Sequence, residues 1–404
     1  MSNRFYFFII ACILTTPFVL GSCEGRERKD RDSKQARTGE QEGVTQNPDP
    51  WLTDLRKPYM KYTGVILFHY TGPDGQKATW PKHSLVLTES EADEIRSGDY
   101  RIAICWPSLD DVRAKSMQQG VLDACRQWGL SVVQQTDAGN DSDKQISDIE
   151  SAIAQNPDAL IAEPLDLEAS AASFKKASEA GIKLAFIMNR PQGLVHGQDY
   201  IGIIAPNNND RALIAANMMA DILSKDTHVA LITYETDIWD IAFTDELVKD
   251  TLKGRYPGIR ILAHETFDSF QDAGEIAESI IEQFPEIEGM YTSNVYSALP
   301  IAEALRKTGR DDVKIITTNM NEGALINMVE GGNIAGTSAD TTYYIGVDAV
   351  VMACFGILGK EGPEFAVSPV MPVSRDTIRE AWELTKRIPL PDSLEQVLQE
   401  TGSQ

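Results

Sequence analysis

The feature that most constrains the fold is a pattern that occurs twice along the chain. The first copy is AIAQNPDALIAEPLDLEASAASFKKASEAGIKLAFIMN, and the second is IIEQFPEIEGMYTSNVYSALPIAEALRKTGRDDVKIITTN. Each copy contains a helix end, a proline beside an acidic residue, an apolar run, a helical period and a second apolar run that ends at an asparagine. We therefore expect two similar lobes, with Asn189 and Asn319 at equivalent positions.

The apolar runs alternate with helical periods throughout both halves of the chain. The first half contains RIAICW, SVVQQ, ALIAEP, IKLAFIM and IGIIA, and the second contains VALITY, IRILAH, GMYTS, VKIITT and IAGTSA. Short strands that alternate with helices are typical of a parallel sheet with helices on both faces. The sequence therefore predicts an α/β fold of two doubly wound parallel-sheet lobes.

The N-terminal segment has the pattern of a secretory signal. Arg4 precedes an apolar run, and Leu20-Gly21-Ser22-Cys23 follows it. These four residues resemble the bacterial lipobox, which implies a lipid on Cys23; a cleaved signal with an incidental cysteine is the alternative. Residues 24–50 contain few apolar side chains, so we expect a flexible tether.

Residues 51–98 are expected to form an N-terminal extension to the first lobe. GVILFHYTGPDGQKATW suggests a hairpin about the PDG turn, and HSLVLTESEADEIRSGDY suggests a strand followed by a helix that starts near Thr88. Beyond the signal the chain has three cysteines, Cys105, Cys125 and Cys354, without CxxC spacing. An odd number of this kind indicates buried free thiols rather than a disulfide framework.

The charge of the chain excludes one class of partner. The formal net charge is −23, from 37 basic and 60 acidic residues. A nucleic-acid surface needs a basic footprint, which this composition does not favour.

Polar side chains collect where the predicted strands end. In open parallel sheets, ligands bind outside the carboxyl ends of the strands, so two facing lobes would bring such residues to one cleft. Glu163 also ends a strand. The candidate ligand-binding residues are Asp110, Asp111, Arg113, Asn189, Arg190, Asn207, Asp237, Trp239, Asn294, Asn319 and Asp340.

The chemistry of this set suits a small neutral ligand with many hydroxyl groups. Carboxylates and amides make several hydrogen bonds at once, and arginine offers a planar fork of donors. An aromatic face such as that of Trp239 can cover the C–H side of a sugar ring. We expect no cofactor and no metal.

Residues 100–390 resemble the type I periplasmic sugar-binding proteins of ABC importers, the group of ribose-binding protein. The resemblance rests on the order and spacing of several motifs. They are RIAIC with DDVR and SMQQGV, QISDIESAIAQNPDALIAEPLD, KKASEAGIKLAFIMNRP, GMYTSNVYSALPIAEAL and DDVKIITTNMNEGALINMVEGGNIAGTSAD.

The resemblance implies two lobes that hold a sugar between them and are joined by three chain crossings. The crossings would lie near 205–207, at Asp340 and near 369–372. Lobe 1 would comprise 99–206 and 341–370, lobe 2 would comprise 207–340 and 371–390, and 391–404 would be a C-terminal tail. The implied partner is an ABC transporter permease, and the implied location is the cell envelope, in the periplasm or at the extracellular face, with a lipid anchor.

At matching positions, the family pattern implies ligand contacts for part of the candidate set. These residues are Asp111, Arg113, Asn189, Arg190, Asn294, Asn319 and Asp340. The chain departs from this pattern at several positions. The family usually has aspartate at Asn189 and at Asn319, and an arginine near Thr244. Arg113 and Ala114 stand where the family has stacking aromatic rings, and Trp239 is expected to supply a ring from the other lobe.

Other functions fit the sequence less well. None of the five histidines has the HExxH spacing, and the chain has neither GxSxG nor a P-loop, so an enzyme is disfavoured. Repressors of this fold begin with a basic helix-turn-helix, where this chain has a signal and a linker. Two alternatives stay open: a lipoprotein that presents a sugar to a membrane receptor, and a binder of another ligand, such as an autoinducer or a nucleoside.

Overall fold

The computed structural model describes residue 72 and residues 75–236 and 238–402. The signal segment, Cys23, the tether, most of the predicted hairpin and Asp237 lie outside these residues. Within them the strands are β1 (Ala78–Thr79), β2 (Arg101–Trp106), β3 (Ser131–Asp137), β4 (Ala159–Ala162), β5 (Lys183–Ile187), β6 (Gly202–Pro206), β7 (Thr227–Tyr234), β8 (Ile259–Phe267), β9 (Ile287–Thr292), β10 (Lys314–Ile316), β11 (Ile334–Asp340), β12 (Phe365–Ser368) and β13 (Val370–Val373).

Helices connect most of the successive strands of the described chain. They are α1 (Pro81–Ser84), α2 (Glu89–Ser97), α3 (Val112–Gln127), α4 (Ser142–Ala154), α5 (Ala171–Glu179), α6 (Asn208–Ile222), α7 (Trp239–Arg255), α8 (Asp272–Gln283), α9 (Val295–Lys307), α10 (Glu322–Val329), α11 (Thr342–Ile357), α12 (Ile378–Thr385) and α13 (Asp392–Thr401). In the described part of the chain, no helix combines the length and the apolar character that a membrane span requires.

The strands form two separate sheets, which confirms the predicted α/β fold of two parallel-sheet lobes. Lobe 1 has seven strands in the order β1-β12-β6-β5-β4-β2-β3, and every neighbouring pair is parallel. Lobe 2 has six strands in the order β13-β11-β10-β9-β7-β8, with β13 antiparallel to β11. Because helices cover both faces, the inner strands β4, β5 and β6 are almost wholly buried and read as continuous apolar runs.

Two of the helices that follow cleft-side strand ends, α3 and α9, begin with polar caps. Asp111 accepts a hydrogen bond from the backbone N–H of Ala114 at 2.6 Å, and Asn294 accepts one from Tyr296 at 3.0 Å. Such caps satisfy backbone donors that the first helical turn leaves without partners. Some of the polar residues at the strand ends therefore have a structural task.

The chain passes between the lobes three times, at β6 to α6, at β11 to α11 and at β12 to β13. The crossing segments are hydrogen-bonded to one another. The Asn207 N–H donates to the Ser368 carbonyl at 2.9 Å, and the Thr341 hydroxyl donates to the Pro369 carbonyl at 2.8 Å. The three segments therefore lie side by side as one connection between the lobes.

Two expectations about the chain ends were wrong. Residues 391–404 were expected to form a tail, but α13 packs Leu394 and Leu398 into the core of lobe 2, because these apolar residues recur every four positions on one helical face. HSLVL was expected to be a strand, but His83 and Ser84 end α1, and Leu85 and Leu87 are buried without joining a sheet.

The rest of the N-terminal extension packs on lobe 1. Ala78 and Thr79 add a parallel edge strand beside β12, whereas the predicted hairpin falls mostly outside the described residues. The helix predicted near Thr88 is confirmed: Thr88 and Glu91 form a capping box, and Ile95 is buried in the core of lobe 1. The three cysteines of the described chain are buried free thiols, as predicted.

Candidate functional site

A cavity of about 230 Å³ lies between the two sheets, beside the crossing at Asp340. Both lobes contribute to its wall, and most of the contributing residues stand at or just after the carboxyl ends of strands. The lining residues are Arg113, Glu163, Met188, Asn189, Arg211, Ile238, Asp240, Ile241, Thr244, Ser293, Asn294, Thr318, Asn319 and Asp340.

Lobe 1 supplies an arginine–carboxylate pair to the cavity. Arg113, in the first turn of α3, donates to the two carboxylate oxygens of Glu163 at 3.1 and 3.3 Å. Asp111 lies 3.9 Å from the Nε atom of the same arginine. The pair is partly open to solvent, with 32% of the Arg113 side chain exposed against 12% of Glu163.

A second pair comes from lobe 2 and the crossing, and it is buried. Arg211, in α6, donates to both carboxylate oxygens of Asp340 at 2.8 and 3.3 Å, and the two side chains are only 6% and 3% exposed. Asp240 approaches the same guanidinium at 3.9 Å. Bidentate geometry fixes the Arg211 guanidinium in one orientation against the cavity.

A buried lysine stands behind this second pair. Lys386 donates from Nζ to the Asp340 carbonyl at 3.3 Å and to the Thr342 hydroxyl at 3.1 Å. Burial lowers the pKa of Lys386 to about 8, although the Asp340 carboxylate opposes the shift. Lys386 therefore fixes the backbone at the crossing that presents Asp340 to the cavity.

Three asparagines give the cavity its amide groups. In the described chain the side chains of Asn189 and Asn319 have no hydrogen-bond partner, and Asn294 uses its side-chain oxygen for the α9 cap. Their remaining donors and acceptors are therefore open to a ligand.

The predicted equivalence of Asn189 and Asn319 was wrong by one residue. The chain adopts the left-handed conformation at Met188, with φ 65°, and at Asn319, with φ 69°. Both residues come five positions after the lysine that begins the strand, Lys183 or Lys314. Met188 is thus the backbone counterpart of Asn319, and the two loops turn alike at that point.

A buried carboxylate supports the lobe 2 wall from behind. Asp245, in α7, accepts hydrogen bonds from the Ser293 hydroxyl at 2.6 Å and from the Tyr291 hydroxyl at 2.8 Å. Burial raises the pKa of Asp245 to about 6, and these two hydrogen bonds oppose the shift. Because Ser293 also accepts from the Tyr234 N–H at 2.8 Å, its hydroxyl is held in one orientation at the cavity wall.

The apolar part of the wall is aliphatic. Met188, Ile238 and Ile241 line the cavity, and no aromatic ring of the described residues does so. Trp239, which we expected to stack on the ligand, instead stacks on Phe243 with ring centroids 5.1 Å apart. Both rings pack against the core of lobe 1, because the i, i+4 spacing places them on one face of α7.

The structure brings Arg113, Asn189, Asn294, Asn319 and Asp340 together at the cavity. The other described candidates do not line it. Asp110 is exposed and bonded to the Ser108 hydroxyl at 3.1 Å, Asp111 caps α3, and Arg190 bonds the neighbouring Pro191 carbonyl at 3.3 Å. Asn207 is buried and caps α6, so its side chain serves the crossing instead of the cavity.

Several lining residues were absent from the predicted set. Glu163 was recognised as a strand end but not selected, and Asp240 and Thr244 lie in α7 next to residues that were considered. Arg211 gave no strand-end signal, since it lies within α6. Arg211 begins the run RALIAANMMA, and the apolar residues that follow it indicate that this part of α6 is buried.

The charges of the cavity nearly balance. Two arginines, Arg113 and Arg211, face three carboxylates, Glu163, Asp240 and Asp340, which leaves a formal charge of 2 − 3 = −1. Both guanidinium groups are already bonded to carboxylates, so neither is free for an anionic ligand. The arrangement can accept and donate many hydrogen bonds to a neutral molecule.

The chain matches a known family over most of the two lobes. The family model for the periplasmic binding protein domain covers residues 102–361, more than half of the sequence. The chain belongs to the periplasmic binding protein family. Membership implies a location in the periplasm or at the extracellular face.

Relatives of this periplasmic binding protein include import proteins for sugars. It is 26% identical to the D-apiose import binding protein of Actinobacillus succinogenes over 282 residues, which cover 67% of this chain and 87% of that protein. It is 24% identical to the ribose import binding protein of Bacillus subtilis over 274 residues, which cover 67% and 86%.

Solved structures share the two-lobed fold of this periplasmic binding protein. The periplasmic ribose ABC transporter structure from Conexibacter woesei aligns with a TM-score of 0.64 and 20% identity, covering 71% of this chain and 97% of the other. A solute binding protein from Agrobacterium vitis, bound with α-D-tagatopyranose, aligns with a TM-score of 0.60 and 19% identity over 71% and 99%. These likenesses concern the fold.

Proposed function

We propose that this protein binds a sugar or a related polyhydroxy molecule between its lobes and delivers it to an ABC importer. The observation that carries the proposal is the interlobe cavity, with two internally paired arginines and three asparagines that keep free hydrogen-bonding groups. A neutral polyol can use all of these groups, because each hydroxyl both donates and accepts.

The volume of the cavity limits the size of the bound part of the ligand. The cavity has a volume of about 230 Å³. This is below the ~300–1,000 Å³ of sites for drug-sized ligands. One monosaccharide-sized ring, or a short acyclic polyol, suits the space.

Delivery requires that the ligand changes the arrangement of the lobes. The three crossing segments lie together, so the lobes can rotate about that region. A ligand bonded to Asn189 in lobe 1 and to Asn319 in lobe 2 favours the closed arrangement, because only that arrangement provides both sets of contacts. The closed form would then dock on a permease.

The N-terminal sequence supports a lipid anchor for the delivery step. Leu20-Gly21-Ser22-Cys23, after an apolar run, matches a lipid attachment site, and the polar residues 24–50 give a tether to the folded domain. Replacing Cys23 with alanine should release the protein from membranes. A Cys23→Ala protein that stays on membranes after a salt wash would contradict the anchor.

The function is tested by the melting temperature of the full chain, purified in detergent, against pentoses, hexoses, deoxyhexoses, polyols, nucleosides and amino acids. A ligand at 100 times its dissociation constant stabilises the folded state by about 2.7 kcal/mol, which raises the melting temperature by several degrees. A saturable shift with a sugar or polyol supports the proposal. A shift only with nucleosides or amino acids, or no shift at all, would contradict it.

A further inference from the structure

One of the three carboxylates that line the interlobe cavity accepts no hydrogen bond from the protein. Arg113 donates to both oxygens of Glu163, and Arg211 donates to both oxygens of Asp340. The third carboxylate, that of Asp240, lies 3.9 Å from Nη1 of Arg211, which is too far for a hydrogen bond. No other residue of the described chain bonds the Asp240 carboxylate.

The position of Asp240 favours a negative charge that the protein does not neutralise. Asp240 is the second residue of α7, where the helix dipole stabilises an anion, and its side chain is 36% exposed. Arg211 carries one positive charge and already holds Asp340 at two atoms, so it offsets only one of its two neighbouring carboxylates. A ligand that excludes water would leave Asp240 without hydration, which is costly unless the ligand itself brings a cation.

The charged groups next to the cavity wall do not remove this excess of negative charge. Asp111 lies 3.9 Å from the guanidinium of Arg113, and Lys386 donates to the Asp340 carbonyl from behind the wall. Neither Asp111 nor Lys386 lines the cavity. With both included, three positive groups stand against four negative ones, and the excess is still one negative charge.

The three hydroxyl residues that line the cavity can offer a ligand only acceptor lone pairs. Thr244, one helical turn after Asp240 in α7, donates its proton to the Asp240 carbonyl at 2.7 Å. Thr318 donates to the Ser293 carbonyl at 2.5 Å, and Ser293 donates to the Asp245 carboxylate at 2.6 Å. A hydroxyl has one proton, so none of the three has a donor left for a ligand.

An ammonium group matches the part of the wall that α7 supplies. It has three donors and no acceptor, whereas a hydroxyl brings one donor and an acceptor that would find no donor on Asp240 or Thr244. These two residues are four positions apart, lie on one face of α7 and both line the cavity. An amino group is close in size to the hydroxyl that it replaces, so a single ring still suits the cavity.

We propose that the ligand is an amino sugar or an amino-substituted polyol, and that Asp240 and Thr244 bind its protonated amine. This inference rests on the proposed sugar-binding function and specifies the ligand class of the same site. The hydroxyl groups of the ligand use the open amides of Asn189 and Asn319. Asp240 is then the residue that selects an amine over a hydroxyl at the same carbon.

The test compares sugars that differ only by an amino group in place of one hydroxyl. Titration calorimetry of the full chain in detergent at neutral pH would use glucose, galactose and mannose, each beside its 2-, 3- and 6-amino derivatives, and myo-inositol beside aminodeoxyinositols. We expect at least one amino compound to bind at least about tenfold more tightly than its parent, because hydrogen bonds between charged groups are the strong ones.

Two variants with the same change of charge separate the role of Asp240 from a general electrostatic effect. Asp240→Asn should lower the affinity for the preferred amino compound by about tenfold or more and change that for its parent by less than about threefold. Asp250→Asn alters an exposed carboxylate of the same helix that does not line the cavity, and it should leave both affinities unchanged. Thermal melting without ligand shows whether each variant is folded.

The outcomes distinguish this inference from the proposed function. Binding of parent sugars or polyols as tightly as, or more tightly than, all their amino derivatives would overturn the amine site and leave the sugar-binding function in place. Equal losses of both classes in a folded Asp240→Asn protein would do the same, since Asp240 would then not select the amine. Absence of binding by every sugar, polyol and amino derivative would overturn both proposals.

Discussion

The two arginine–carboxylate pairs of the cavity have the same chemistry and different surroundings. Arg113–Glu163 is partly open to water, whereas Arg211–Asp340 is almost wholly buried beside a crossing between the lobes. Water reaches the first pair more than the second, so the first pair is screened more and its loss is expected to cost less folding stability. In the second pair both ions have lost their hydration, and each depends on the other for stabilisation. Disrupting this pair is therefore expected to affect folding as well as binding.

The largest expected effect separates the two pairs by stability. Asp340→Ala removes the bidentate partner of the buried Arg211 and should lower the free energy of unfolding by about 3–5 kcal/mol. Glu163→Ala at the open pair should cost about 1 kcal/mol or less. Urea denaturation at neutral pH measures both, and equal losses would show that burial does not distinguish the pairs.

A second prediction concerns pH and the carboxylate beneath the lobe 2 wall. Asp245 has its pKa raised to about 6 from an ordinary value near 3.8, so the folded protein binds more protons than the unfolded chain between these values. Stability should therefore fall as pH rises from about 4 to 6, by at most about 1.4 kcal/mol per pH unit.

The matched variant for this pH dependence is Asp245→Asn, which has no titrating charge and keeps one acceptor oxygen, so that one of the Tyr291 and Ser293 hydroxyls can still donate to it while the amide NH2 faces the other. The difference in unfolding free energy between wild type and variant should decrease across the pH 4–6 window and be constant above it. A difference that stays flat would show that Asp245 titrates normally.

The third prediction concerns the open Arg113–Glu163 pair and sugar affinity instead of stability. Glu163→Gln weakens the hold on Arg113 without opening a cavity, so it should change sugar affinity by up to about tenfold at nearly unchanged stability. Calorimetry gives the affinity, and thermal melting without ligand gives the stability. Loss of stability without a change in affinity would show that the Arg113–Glu163 pair stabilises the fold and does not affect sugar binding.

The smallest expected effect concerns Trp239. Because its ring packs with Phe243 against the core of lobe 1, it stabilises the lobe contact and does not touch the ligand. Trp239→Ala should destabilise the closed form and thereby weaken sugar binding by about 0.5–1.5 kcal/mol. Trp239→Phe should recover most of the lost binding free energy. A much larger loss, specific to one sugar, would mean that the ring contacts the ligand.

The fold was predictable because its signals are local and repeated. Buried parallel strands read as apolar runs, and strand ends of the open sheets locate Asn189, Asn294 and Asn319 by position alone. Neighbouring polar residues at the same ends, such as Asn207, proved to be helix caps. The sequence does not distinguish a cap from a ligand contact, since both call for the same short polar side chains.

The rest of the site depends on packing between distant segments. Arg211 reaches the cavity because α6 packs on β11, and its partner Asp340 lies 129 residues further along the chain. Trp239 does not line the cavity, and its ring stacks on Phe243, one helical turn later. These contacts depend on which surfaces pack together in the folded protein. The periods of strands and helices in the sequence do not specify that packing.

The most direct test of the central claim, that one sugar is held by both lobes, is calorimetric titration of that sugar into wild type, Asn189→Ala and Asn319→Ala. Each variant removes amide groups from a different lobe. We predict that each loses about 1–3 kcal/mol of binding free energy, the cost of leaving buried polar groups without partners. Full affinity in either variant would contradict the account, because the sugar would then not depend on that lobe's asparagine.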